Sequence, residues 1–145
     1  MRLIITVGLP GSGKSTYLAR LGVNAISSDE VRRLIADDPH DQTMNARIFQ
    51  VIRYLVRQRI AAGRPITYVD ATHLQPWERE PYRMLAQRYG CRLDVLFFNV
   101  PVEICMARNQ ARDRRVPEEA IRKMAGQMIP PSLDEGFTEI TTITD

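Results

Sequence analysis

Apolar and polar positions along this chain fall into blocks that switch between a strand period and a helix period. Residues 2–7 (RLIITV) are a short β-branched run ending on a glycine, the mark of a buried parallel strand. Residues 14–21 read as a helix and residues 23–27 (VNAIS) as a second, short strand. Ser27 and Glu30 then form an S-x-x-E capping box that opens a helix through Ile35. DDPHD, residues 37–41, predicts a turn with Asp41 as the next N-cap. Over residues 42–62, Met44, Ile48, Val51, Ile52, Leu55 and Ile60 recur at helical spacing, and Gly63 and Pro65 end the pattern. A third strand, residues 66–70 (ITYVD), ends in an acid. Residues 76–89 predict a helix opened by Pro76 and closed near Gly90, and residues 92–99 a fourth strand. A helix over residues 101–112, an arginine-rich turn, a helix over residues 117–128, a break at IPPS and a weaker last strand within residues 136–144 complete the chain.

Strands alternating with helices predict an α/β fold in which a parallel sheet is covered on both faces, a three-layer sandwich. At 145 residues, with no repeat, low-complexity tract or linker, the expectation is a single domain over 1–145.

Composition removes some classes of function. With 44% hydrophobic and 26% charged residues the chain is not of disordered type. No apolar run approaches the ~20 residues of a membrane span, and nothing at the start reads as a signal peptide. The only cysteines, Cys91 and Cys105, sit in apolar settings without a CxxC pair, so they read as buried free thiols in a reducing, cytoplasmic compartment. The net charge of +3 points only weakly to nucleic acid. All but Lys14 and Lys123 of the 20 basic residues are arginine, which suits forked contacts to phosphate oxygens; a GC-rich genome would give the same bias.

The chemistry begins at GLPGSGKS, residues 8–15, a full match to G-x-x-x-x-G-K-[ST] placed after a strand and opening a helix. Gly8, Gly11 and Gly13 let the backbone curl so that amides, including those near Pro10, Ser12 and Thr16, face phosphate oxygens. The helix N-terminus adds positive potential. Lys14 can reach the β- and γ-phosphates, and the Ser15 hydroxyl can hold Mg²⁺. An NKxD motif of the switch GTPases is absent. Asp70 is followed by Ala71, Thr72 and His73 rather than by the glutamate usual in motor ATPases, which leaves a small phosphotransferase.

Arg108 and Arg112 stand four apart in ARNQAR, on one face if that segment is helical, with Arg114 and Arg115 just beyond. Arg112 is the candidate for the transferred phosphoryl group, as an arginine finger in cis. Arg108, with Val116 opposite, is the candidate for packing on the adenine ring. A solvated basic helix end is the plainer alternative.

In ISSDEVRR, Asp29 lies at the C-terminal end of the second strand, where an acid can face the γ-phosphate. A carboxylate there can orient an acceptor hydroxyl and take its proton. Arg32, one turn on, can hold an anionic part of the acceptor. An exposed ion pair that only complements the helix dipole fits the same spacing. Asp70, ending the third strand, can support Mg²⁺ or orient Arg32, and His73 is a candidate to line the site. Arg47, Arg53, Tyr54 and Arg57 lie off the apolar stripe of residues 42–62, as a single-stranded nucleic acid would need and as any solvated face would also show.

SSDEVRR, DDPHDQT, VDATH, NVPVEICMARNQAR and RRVPEEAIRKMAGQM together resemble the 5′-OH polynucleotide kinases of phage and bacterial nucleic-acid repair, over nearly the whole chain. That resemblance implies a P-loop sandwich of the adenylate-kinase type with a short lid. It implies Asp29 as general base on the 5′-OH, Arg32 on the phosphate 3′ of the acceptor nucleotide, and Lys14, Ser15 and Arg112 serving the phosphates of ATP and Mg²⁺, with Asp70 in support. The substrate would be a single-stranded or end-exposed DNA or RNA. The companion phosphatase and ligase modules would lie on other chains or be dispensed with, and a homodimer is left open. Two departures stand out: His73 occupies a position where the family pattern has asparagine, and ARDRRV is one residue short, which unsettles the register of Arg114 and Arg115. The alternatives are a kinase of sugars or nucleosides on the same fold, or a nucleotide-binding module without phosphotransfer.

Overall fold

The computed structural model describes residues 1–112 and 115–144. Five strands, β1 (Arg2–Val7), β2 (Ile26–Ser27), β3 (Ile66–Asp70), β4 (Arg92–Phe98) and β5 (Glu139–Ile143), form one sheet in the order β2-β3-β1-β4-β5. Every pairing is parallel, so the ends of β1, β2 and β3 open on the same edge of the sheet. The central strand, β1, is buried at every position after Arg2, which requires cover on both faces. That cover comes from α1 (Lys14–Arg20), α2 (Ser28–Ala36), α3 (Asn45–Ala61), α4 (Pro76–Tyr89), α5 (Val102–Gln110) and α6 (Glu118–Gln127), with a short 3₁₀ turn at Leu133–Glu135. Leu3, Ile5 and Val7 pack with Ile48, Ile52 and Val56 of α3 and with Tyr82 and Leu85 of α4. A second, smaller cluster beneath the glycine-rich loop joins Leu9, Leu74, Val100 and Cys105 to Met124 and Met128.

Several boundaries depart from the periodicity. The second strand is only two residues long, because Ile26 and Ser27 alone pair with Val69 and Asp70. Asp41 is not the N-cap of α3. Its Oδ1 accepts from the Thr43 amide at 2.8 Å and hydroxyl at 2.6 Å, so it closes a local turn and the helix starts later, at Asn45. The helix expected to reach Arg112 ends at Gln110, where the Ala111 and Arg112 amides bond back three residues to Arg108 and Asn109. Arg108 and Arg112 therefore do not share a helical face. Cys105 is buried as expected, whereas Cys91 is half-buried; neither is in a disulfide.

Candidate functional site

The glycine-rich loop owes its shape to residues without side chains. Gly11 has φ +82, and a Cβ there would lie 2.4 Å from the Cys105 carbonyl oxygen; at Gly8 a Cβ would meet Phe98 Cβ at 2.9 Å. Gly13, at φ 96, caps α1. Lys14 is 9% exposed, and its Nζ donates to the Gly8 carbonyl at 3.1 Å and the Leu9 carbonyl at 2.8 Å, so the ammonium closes the ring of the loop. Burial lowers the Lys14 pKa, opposed by the nearby carboxylates of Asp70 and Asp29. Both carboxylates thus lie within charge range of the loop lysine. Pro10 is half-buried at the loop tip, Ser12 is buried with its Oγ unpartnered, and Thr16 is exposed. The Ser15 Oγ donates to Asp70 Oδ2 at 2.7 Å, joining the start of α1 to the end of β3. A hydroxyl and a carboxylate side by side are oxygen donors of the kind Mg²⁺ takes.

Residues 70–73 are held against the end of β1 by a set of staples. The Thr6 hydroxyl donates to the Ala71 carbonyl at 2.7 Å and accepts from the Ala71 amide at 3.1 Å. The Gly8 amide donates to the Thr72 carbonyl at 3.0 Å, and His73 Nδ1 lies 2.6 Å from the Thr6 carbonyl. Thr6 thus sets where Asp70 sits relative to the loop, a role that its place as the lone hydroxyl in RLIITV could have signalled. His73 belongs to this scaffold and does not line the acceptor edge. It is 1% exposed, packs edge-on against Tyr82 at 5.0 Å, and burial pushes its pKa down to about 4, so it is a neutral core residue. Its backbone is left-handed, φ 44, a conformation in which asparagine and histidine are both enriched.

Asp29 enters the site through β2. Ser27 pairs with Asp70 in the sheet and caps α2 by accepting from the Glu30 amide at 3.3 Å, which sets Asp29 in the first turn of α2. Arg32 does not extend outward. Its side chain is 6% exposed, Nη1 donates to Asp29 Oδ1 at 3.2 Å, and Nη2 donates to Asn45 Oδ1 at 3.0 Å, while Nε is buried without a partner. Asn45, the first residue of α3, is a site-shaping residue that spacing arguments missed.

On the far side of the loop, Arg108 Nη1 donates to the Ser12 carbonyl at 3.3 Å and lies over Gly13. Arg112 is exposed beyond α5, yet its charge reaches Lys14 and contributes to lowering that pKa. Asn109, 1% exposed between the two arginines, donates from Nδ2 to the Val116 carbonyl at 2.6 Å and accepts the Val116 amide at 2.9 Å. This clamp fixes where the chain returns after Arg112, a function hidden in the R-N-x-x-R spelling. Arg115 is exposed, and Arg114 lies outside the described residues. Lys14, Ser15 and Asp70 are thus brought together at the loop, with Arg108 bonded to it and Asp29 and Arg112 near enough for their charges to act on Lys14, while His73 is turned into the core.

The same architecture recurs in known proteins. Over 88 residues the chain is 30% identical to L-seryl-tRNA(Sec) kinase of Homo sapiens, a match covering 59% of this chain and 25% of the human protein. The chain thus spans about a quarter of that relative's length. Among solved structures, a chain of the Pnkp1/Rnl/Hen1 RNA repair complex is 24% identical with TM-score 0.73, over 91% of this chain and 49% of that one. A gluconokinase from Sinorhizobium meliloti 1021 is 18% identical with TM-score 0.66, over 99% of this chain and 82% of its own. The APS kinase CysC of Mycobacterium tuberculosis is 20% identical with TM-score 0.60, over 97% of this chain and 87% of its own. At these identities the structures carry the fold, that of the P-loop kinases, and not the acceptor. Residues 3–131, from the first strand through α6, match the AAA domain family, and the chain belongs to it.

Proposed function

We propose that this chain transfers the γ-phosphoryl group of ATP to the 5′-hydroxyl end of a DNA or RNA strand. The observation that carries this is the Asp29 carboxylate, 67% exposed at the rim, held at 3.2 Å by the buried Arg32 and electrostatically linked to Lys14 across the loop. A carboxylate so held can orient a hydroxyl and accept its proton as the oxygen bonds to the γ-phosphorus and the bond to the β,γ-bridging oxygen breaks, releasing ADP. Lys14 and Arg112 supply fixed cations for the charge that spreads over the phosphoryl oxygens. Ser15 and Asp70 would hold Mg²⁺, which when bound neutralises the β- and γ-phosphates.

Support for a nucleic-acid acceptor comes from the human relative, a kinase named for L-seryl-tRNA(Sec), and from the neighbour within an RNA repair complex. The gluconokinase and APS kinase neighbours share the fold with other acceptors, so the acceptor must be tested directly. Purified protein, Mg²⁺, γ-labelled ATP and a 5′-OH oligonucleotide should yield labelled oligonucleotide, and Asp29→Ala should abolish the label. Label entering a sugar or nucleoside and no oligonucleotide would make it a small-molecule kinase, and nucleotide binding with no transfer at all would make it a binding module.

A further inference from the structure

The α3 helix carries Arg47, Arg53, Arg57 and Arg59 in its 17 residues and no acidic residue, so its charge is uncompensated along its own length. Two of the four arginines face inward or sideways. Arg59 donates to Thr67 Oγ1 at 3.1 Å and the Ile66 carbonyl at 2.8 Å, and Arg53 is half-buried near Tyr82. The other two, exposed Arg47 and half-buried Arg57, share the outer side with Gln50 and Tyr54, at spacings of three and four residues opposite the buried Ile48, Ile52 and Val56. Tyr54 is 53% exposed, and the Arg57 guanidinium lies 6.0 Å from its ring centroid. At the N-terminal end of this face Thr43, Met44, Ala46, Arg47 and Gln50 line a cavity of about 400 Å³. That end also touches the candidate acceptor site, because Asn45 accepts from the same Arg32 that holds Asp29. No side chain caps the helix there and its first turn has no acid; the nearby Asp41 carboxylate is bonded to the amide and hydroxyl of Thr43.

Resting on the acceptor chemistry above, we infer that the outer face of α3 is a track for the single-stranded acceptor, which leaves Asp29 past Arg32 and Asn45 and runs over Arg47, Gln50, Tyr54 and Arg57. An unpaired strand is the occupant that fits. Its phosphates match an acid-free arginine stripe, and its bases match a solvent-facing aromatic ring with a guanidinium at cation–π distance. From Asn45 to Tyr54 the helix rises ~14 Å, a length of about two to four nucleotides between extended and stacked strands. A sugar or nucleoside would not reach beyond the cavity.

The test compares a 5′-OH hexanucleotide with a nucleoside 3′-monophosphate as acceptors for the full chain, in wild type, Tyr54→Ala and Arg47→Gln/Arg57→Gln. The expected result is a drop of about tenfold in kcat/KM on the hexamer in each variant, with the short acceptor unchanged. Hexamer binding, read by fluorescence anisotropy without ATP, should lose about 1.4 from its log–log salt slope in the double variant, ~0.7 per phosphate contact. Equal effects on both acceptors, or none on either, would overturn the track, as would a polyglutamate peptide that displaces the hexamer at the same concentration as unlabelled hexamer. No transfer to either acceptor would instead overturn the 5′-hydroxyl kinase reading, and the anisotropy series would then decide the track alone.

Discussion

Arg32 Nη1 lies 3.2 Å from Asp29 Oδ1, with the arginine side chain 6% exposed and the carboxylate 67% exposed. A buried cation thus anchors an acid whose free edge faces solvent. For an exposed pair such a contact would be worth little. Here the arginine is itself fixed through Asn45, so the pair sets the carboxylate's direction. Asp29→Asn keeps an oxygen for Arg32 and removes the proton acceptor. Its kcat on a 5′-OH oligonucleotide should fall by about 10²–10⁴-fold with little change in Tm. Arg32→Ala should lower both, with a stability loss of about 1–3 kcal/mol. An Arg32→Ala enzyme that loses stability but keeps kcat would exclude a positioning role.

Gly11→Ala tests the loop itself. The left-handed φ of +82 and the 2.4 Å approach to the Cys105 carbonyl mean that a methyl group must displace backbone. We expect a loss of about 2 kcal/mol or more in stability and no measurable nucleotide binding by calorimetry. Gly63→Ala, at φ +75 with nothing near its Cβ position, is the control for strain alone, and it should retain nucleotide affinity.

Asn109→Ala removes both bonds to Val116 at once. Without the clamp, the segment bearing Arg112 loses the two bonds between Asn109 and Val116 that flank it. The KM for ATP should rise about tenfold or more, with a stability loss of about 1–3 kcal/mol from the unpaired Val116 backbone. A variant that unfolds more easily but binds ATP as tightly as wild type would show that the clamp is purely structural.

His73 makes the fold acid-sensitive. Its pKa is lowered from 6.5 to about 4 by burial, so the unfolded chain takes up a proton that the folded chain refuses. The stability it contributes is fully present above pH 6.5 and is lost as pH falls toward about 4, up to about 3 kcal/mol in all. Denaturant unfolding at a series of pH values should show that slope in wild type. His73→Asn, suited to φ 44 and without a titrating ring, should give a shallower one, whatever its absolute stability. Identical slopes would assign the acid sensitivity to other groups.

The order of strands and helices and the phosphate loop were legible in the residues because their causes are local. A β-branched run, a 3.6-residue stripe, a proline at N1 and glycines within eight consecutive positions need no distant partner to be read. Asp29 was legible as a candidate for the same reason, since the acid, the Ser27 cap and the short strand are contiguous.

What the tertiary structure decided was the partner of each polar group. Thr6, Asn45 and Asn109 read as ordinary positions until residues 65, 13 and 7 places away supplied their bonds. His73 looked like a site residue until its ring was found between Thr6 and Tyr82, and the exposed ion pair that the spacing of Asp29 and Arg32 allowed has its arginine buried against Asn45. Desolvation acts only after the chain has closed on itself, so the periodicity that builds the elements carries no record of which polar atoms they will enclose together.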